Sequence, residues 1–399
     1  MQQASVIIVG GGVIGLATAY RLLQSYPSKS VLVLEKEDKL AAHQSGHNSG
    51  VLHTGIYYRP GSLKAMNCRQ GRDAMVAFCR EQGIDHEICG KVIVAVDDGQ
   101  LSSLQQLYDR GQANGVRCEF ISAEQLRDLE PHAAGVRAIH VPDAGIVDYR
   151  QVCQRLSDLI TASNARVITG ARVVGMTEQK NSVVIETTRG QFQADCVVNC
   201  AGLHSDRVTR MSGVRPAAKI IPFRGEYFQL RGAGRGLIRN LIYPVPDPSF
   251  PFLGVHFTRM IDGSVECGPN AVLAWAREGY KKSDVNLRDL AESLTYPGFI
   301  RLALKYWRIG AGEMWRSLSK RAFVRALQRL VPEIEIDHLE PALSGVRAQA
   351  VGRDGSMIDD FLFQESPRAV NVGNAPSPAA TASLNIGQMI VEKLATRFD

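Results

Sequence analysis

The first apolar cluster is Ser5–Val9, SVIIV, a short run rich in β-branched residues that predicts a buried parallel strand. The glycine turn GGGVIG follows at once, then LATAYRLLQ reads as a helix and VLVLE as a second strand ending at Glu35. Further along, KVIVAV reads as a strand among the polar helices LSSLQQLYDRG and SAEQLRDLEP. VDYRQVCQRLSDLI predicts a helix, and VITGARVVGMTEQ and VVIETT predict strands. DCVVNCAGLHSD is an apolar strand turning at Ala201 and Gly202, with Ser205 and Asp206 suited to the first turn of a helix. The chain ends in VGNAPSPAATASLNIGQMIVEKL: a strand ending at Gly373, a Pro-containing loop of small residues and an amphipathic helix. Strands alternating with helices predict an α/β architecture.

The opening unit carries chemistry. Gly10, Gly12 and Gly15 match G-x-G-x-x-G between a strand and a helix. Gly10 permits the tight turn, Gly12 lets backbone approach a pyrophosphate, and Gly15 allows close helix–strand packing. The helix amides and dipole would face the phosphates, and Glu35 suits the hydroxyls of a ribose. This predicts a dinucleotide site without choosing the dinucleotide. The strand end at Ala201–Gly202 and the loop after Gly373 select FAD. Both can return to the same cofactor, and loop amides with a helix N-terminus can stabilise negative charge on a reduced flavin.

Composition narrows the picture modestly. A chain of 399 residues predicts two intertwined domains, and 45% hydrophobic with 22% charged residues is ordinary for a globular protein. The net charge of +6 weakly favours acidic substrates or an anionic lipid surface and gives no reason to invoke nucleic acid. The eight cysteines contain no CxxC pair and no zinc spacing, so free thiols in a reducing cytoplasm are expected and no metal site. No signal peptide is expected, and no apolar stretch approaches the ~20 residues of a membrane span.

These features together resemble the D-amino-acid-oxidase-like FAD oxidoreductases. Within them, HQSGHNSGVLHTGIYYRPGSLKAMNC (from His43) and NAPSPAAT (from Asn374) resemble the L-2-hydroxyglutarate dehydrogenase/oxidase family specifically. PFRGEYF (from Pro222), PVPDPSFPFLGVHFTRMIDGSVECGPNAVLA (from Pro244) and SGVRAQA (from Ser344) are shared more loosely with relatives such as glycerol-3-phosphate dehydrogenases. The resemblance spans nearly the whole chain without obvious departure. It implies a Rossmann-like FAD-binding domain made of residues 1–78, 148–215 and 339–399. Residues 79–147 and 216–338 would form a discontinuous α+β substrate domain on a mostly antiparallel sheet.

The resemblance also implies roles. Ser45, Asn48, Ser49 and Gly50 would contact the cofactor along its pyrophosphate and flavin, Val173 would meet the adenine side, and Asn374, Ala375, Pro376 and Ser377 the flavin. His53 would lie near the flavin ring, where a histidine titrates in the range useful for a general base; the alternative is a loop histidine that only packs. Arg347 matches the arginine that pairs with the substrate carboxylate in amino-acid-oxidising relatives, and a guanidinium suits that task. A structural ion pair is its alternative. A second carboxylate needs a second donor, for which Arg59, Lys64, Arg224, Tyr227, Tyr243 and His256 stay open. The implied reaction is FAD-dependent oxidation of L-2-hydroxyglutarate to 2-oxoglutarate. Hydride passes to flavin N5, His53 or His256 takes the hydroxyl proton, and quinone or oxygen takes the electrons. Oxidation of glycerol-3-phosphate or an amino acid is the alternative enzyme, and a flavin-bearing binding protein without turnover the alternative class.

One stretch stands apart. From Arg301 to Arg329, Lys305, Arg308, Arg316, Lys320, Arg321 and Arg325 are interleaved with Trp307, Trp315 and Phe323, and Glu313 is the only acid. Such a segment suits an anionic membrane surface, with the protein peripheral on the cytoplasmic face and a membrane quinone as electron acceptor. A helical pair with a solvated face is the plainer alternative.

Overall fold

The computed structural model describes residues 2–247 and 253–398. The first strand, Gln2–Val9, pairs in parallel with Val31–Leu34 on one side and Gly190–Asn199 on the other. Val31–Leu34 in turn pairs in parallel with Ala165–Ile168. The end of Gly190–Asn199 pairs in parallel with Ala369–Asn374, and its beginning pairs antiparallel with Val183–Thr187. Val6, Ile7, Ile8 and Val9 are all buried, which is why the strand reads as an unbroken apolar run and not an alternating one.

The helices Val13–Ser25 and Ser383–Ala395 cover this sheet and share one apolar cluster, in which Leu16, Ala17 and Leu22 meet Ile386, Ile390 and Val391. Each such fully buried Leu, Ile or Val side chain stabilises the fold by about 1.5–3 kcal/mol. The two ends of the chain are thereby locked to each other.

A second eight-stranded sheet is mostly antiparallel. Its middle runs from His256–Arg259 through Leu241–Pro244 and Lys91–Ala95 to Arg137–Val141, with one parallel pairing, Leu241–Pro244 on Lys91–Ala95. A three-stranded sheet joins Val272–Leu273, Lys219–Gly225 and Gly345–Val351. The mixed α/β architecture matches the sequence-based expectation. Past residue 338, Leu339–Pro341 pairs with Phe228–Leu230, Gly345–Val351 pairs with Lys219–Gly225, and the chain rejoins the first sheet at Leu362–Glu365. Part of the segment quoted from Pro244 falls on residues 248–252, outside the described residues.

The basic stretch forms helices Pro297–Leu318 and Lys320–Gln328. Phe323 turns inward and packs against Phe228, while Leu304, Trp307, Trp315 and Leu318 are each more than 60% exposed. Glu313 is buried, bonded to the amide of Ala271 and to Arg316, so the outer face of Pro297–Leu318 carries no carboxylate. Among the described residues no helix is long and apolar enough to cross a membrane.

Candidate active site

The glycine turn closes the first strand onto the first helix. Gly10 holds φ +112°, and a Cβ on Gly15 would lie 2.1 Å from the Gly10 carbonyl oxygen, so neither position admits a side chain without moving backbone. Gly12 caps the helix without a side chain, which leaves the helix amides facing a cavity lined by Gly12, Val13 and Ile14. The Val13 amide donates to Ser45 Oγ at 2.9 Å. Glu35 is buried and held from two sides: Gly11 N donates to Oε2 at 2.7 Å and Glu37 N to Oε1 at 2.9 Å. Two backbone donors on one carboxylate fix where it can accept further hydrogen bonds.

The cavity has a volume of about 1410 Å³. That exceeds the ~300–1,000 Å³ of ordinary ligand pockets and leaves room for a dinucleotide plus a small acid. Gly10, Gly12, Glu35, Ser45, Asn48 and Ser49 line it, as do Val173, Ala201, Gly202 and the whole loop Asn374–Ser377. So do His53, Tyr243, His256 and Arg347. The structure thus brings together residues spread from the first strand to the last loop. These residues fit FAD by their own chemistry: a side-chain-free helix N-terminus for the phosphates, a pinned carboxylate for the ribose, and Asn374 Oδ1, a buried acceptor without a partner among the described residues.

Four of the expected contacts lie outside the lining. Gly15 acts through the close turn described above. Gly50 has φ +64°, and a Cβ there would sit 2.7 Å from the Val147 carbonyl, so it shapes the loop rather than facing the cavity. Arg59 is exposed and off the cavity. Arg224 is buried against Glu226, with Nη2 at 2.9 Å from Oε1, and donates through Nη1 to the Lys281 carbonyl at 3.1 Å. Its charge is already answered within its own strand region. Asn48 lines the cavity, yet its side chain braces its own loop: Nδ2 donates to the Ser45 carbonyl at 2.7 Å and Oδ1 accepts from Gly50 N at 2.9 Å.

The two histidines differ in how they are held. His256 Nδ1 lies 2.9 Å from the Gly254 carbonyl, which can only accept, so the neutral ring carries its proton on Nδ1 and its lone pair on Nε2. Its ring stacks on Tyr243 with centroids 4.0 Å apart. Burial, with further lowering by Arg347 and Lys91, brings its pKa to about 4. His53 is brought to about 3 by burial, then by Lys91, His256 and Lys64. Both rings are therefore neutral near pH 7, the state required to accept a proton. The loop of His53 is tied to the C-terminal return by Thr381, whose Oγ1 accepts from His53 N at 3.2 Å and bonds Tyr149 OH at 3.0 Å. Arg347 sits on Gly345–Val351, opposite Phe223 in the three-stranded sheet, where burial lowers its pKa from the usual guanidinium value.

Sequence reasoning missed two residues at the histidine end. Lys91 is 2% exposed, and its Nζ lies 4.7 Å from the ring centroid of Tyr57 and 5.0 Å from that of Tyr243. A charge at the head of an otherwise apolar strand, KVIVA, was the available signal for Lys91. Tyr57 offered none beyond its place in the loop.

At the far end, Glu278 Oε1 reaches Lys36 Nζ at 2.6 Å and His204 Nε2 at 2.7 Å, closing the segment around Ala276–Asn286 over the residues that follow Glu35.

Comparison with known proteins adds to this geometry. Residues 5–393 match the family described as DAO, FAD dependent oxidoreductase. L-2-hydroxyglutarate dehydrogenase of Indibacter alkaliphilus is 49% identical over 395 residues, covering 98% of this chain and 99% of that protein. The enzyme of the same name from Escherichia coli K12 is 46% identical, covering 98% of this chain and 93% of its own. Among solved structures, FAD-bound L-alpha-glycerophosphate oxidase from Mycoplasma pneumoniae superposes with a TM-score of 0.80 at 22% identity, covering 98% and 95% of the two chains. That last likeness concerns the fold.

Proposed function

Because the chain belongs to the L-2-hydroxyglutarate dehydrogenase family of FAD-dependent oxidoreductases, we propose that it oxidises L-2-hydroxyglutarate to 2-oxoglutarate. The observation that carries this reading is the meeting of Arg347 with two neutral imidazoles, His53 and His256, in the cavity of the glycine turn. FAD, when bound, supplies the acceptor for the hydride that leaves substrate C2. Arg347 holds the carboxylate next to the reacting carbon through its planar fork of donors. His256 takes the hydroxyl proton at Nε2, the nitrogen left basic by the Gly254 contact. Its neighbour His53 lends a second neutral ring, and the surrounding burial keeps both unprotonated. Orientation of the substrate between arginine and imidazole supplies much of the rate.

Anaerobic titration of the yellow protein tests the reading. L-2-Hydroxyglutarate is expected to bleach the flavin absorbance, with its D enantiomer, glycerol-3-phosphate and lactate leaving it intact. Bleaching by glycerol-3-phosphate alone would replace the proposed substrate.

The same reading extends to location: a cytoplasmic protein resting on the inner face of a membrane, with a quinone as electron acceptor. Its support is the outer face of Pro297–Leu318, where exposed Leu304, Trp307, Trp315 and Leu318 stand among Lys305, Arg308 and Arg316. Exposed apolar and basic groups interleaved along two helical segments that meet at a kink at Tyr306 match an anionic lipid surface. Vesicles rich in anionic lipid are expected to carry the protein upward in flotation at low salt, and Trp307→Ser with Trp315→Ser to abolish it. Wild-type protein staying at the bottom of the gradient at low salt removes this extension.

A further inference from the structure

Three cations act on the two imidazoles: Arg347 and Lys91 on His256, and Lys91 and Lys64 on His53. They are not equivalent. Lys64 Nζ is answered by the Asp359 carboxylate at 2.9 Å. Arg347 is the group assigned above to the carboxylate beside the reacting carbon. Lys91 has no acidic group against it among the described residues, although it is one of the most completely buried large side chains in the protein.

Lys91 does not itself line the cavity; it stands behind two residues that do, between the cavity wall and a buried apolar cluster. The strand Lys91–Ala95 sends alternate residues to opposite faces, so Lys91 shares a face with Ile93 and Ala95, toward Tyr243. Its ammonium rests against the faces of Tyr57 and Tyr243, both of which line the cavity. The hydroxyls of both tyrosines are buried and, among the described residues, without a hydrogen-bond partner; Thr258 lies near Tyr243 OH but outside hydrogen-bond geometry. A buried ammonium without an anion beside two buried unpaired hydroxyls is costly unless a ligand completes it. The missing ligand is an anion that accepts several hydrogen bonds.

We infer that Lys91, with the hydroxyls of Tyr57 and Tyr243, is the subsite for the second carboxylate of a 2-hydroxy dicarboxylate. This rests on the reading that the substrate is a hydroxy diacid, and it makes Lys91 the residue that separates diacids from monoacids. A monoacid leaves the ammonium unanswered. A diacid answers it while Arg347 holds the other end.

The groups around Lys91 also set a pH signature. Tyr57 and His53 come from the loop, Cys68 from helix Leu63–Glu81, Tyr243 from the adjacent strand and His256 from the strand beyond it, so among the described residues no carboxylate holds its proton. Burial brings its pKa down to about 8, with only the Cys68 thiol opposing. Anion binding needs the protonated amine, so diacid affinity is full below pH 8 and falls above it.

The test uses FAD-loaded protein and two inert probes, glutarate and butyrate, followed by perturbation of the flavin spectrum. Lys91→Met is expected to weaken glutarate about a hundredfold while butyrate changes less than about twofold. Wild-type protein is expected to lose glutarate affinity about tenfold per pH unit above pH 8, with butyrate flat. Equal losses for both probes, or no loss for either, would overturn the assignment. If the variant fails to retain FAD, the wild-type profiles decide: parallel pH curves for diacid and monoacid overturn it, and divergent ones support it. The substrate reading is judged separately, by whether L-2-hydroxyglutarate bleaches the wild-type flavin.

Discussion

Arg347→Ala is expected to lower kcat/KM for L-2-hydroxyglutarate by roughly a hundredfold to a thousandfold, about 3–4 kcal/mol, while FAD stays bound. The side chain lies among enclosed neighbours where a carboxylate cannot be solvated, so its loss leaves the substrate anion buried without its strongest partner. Arg347→Lys should recover only part of the rate, because an ammonium gives a point charge in place of a planar fork. The loss should divide between KM and kcat, since the arginine both binds the acid and aims its C2. Stopped-flow reduction of the flavin under nitrogen separates the two. An unchanged kcat/KM in a flavin-loaded Arg347→Ala protein would remove the carboxylate assignment, and leave the arginine a structural role in its sheet.

The second large effect is expected at His256. His256→Gln should slow flavin reduction about 10³-fold with little change in substrate affinity, within the ~10²–10⁴ that general base catalysis contributes. His53→Gln should cost far less. The difference follows from the Gly254 carbonyl, which holds Nδ1–H and leaves Nε2 basic in His256. Among the described residues no hydrogen bond fixes either ring nitrogen of His53; its contacts run through its backbone. Rate constants for reduction in the two variants measure this directly. A larger loss at His53 than at His256 would reverse their roles.

The cofactor half of the cavity was legible because its signals are local. The strand, glycine turn, helix and acid occupy residues 5–35, and each step has its own composition. Ala201–Gly202 and Asn374–Ser377 could be read as strand ends of small residues, though only the fold shows that both border the same space. The substrate half was less legible, because its donors are defined by partners far away in sequence. Arg224 looked available, but Glu226 is two residues on, the spacing that puts two side chains on one face of a strand. That pairing could have been read. Lys91 stood out only as a charge heading an apolar strand, since its meaning depends on Tyr57 and Tyr243 meeting it from another loop and another strand. In the basic stretch, Phe323 and Trp307 looked alike by composition; helix orientation alone sends one to the core and the other to the surface.

The Thr381 hydroxyl that bonds the Val51 carbonyl and Tyr149 also bears on how the protein is made. The glycine turn lies at residues 10–15, yet the wall opposite is supplied by residues 374–381, so the cavity is complete only once both segments have been made and have met. The helix that seals that wall, Ser383–Ala395, rests on Val13–Ser25 and must emerge in turn. The cofactor space therefore depends on segments far apart in the chain. A chain cut before residue 374, however well its opening strands have paired, is expected to hold no flavin.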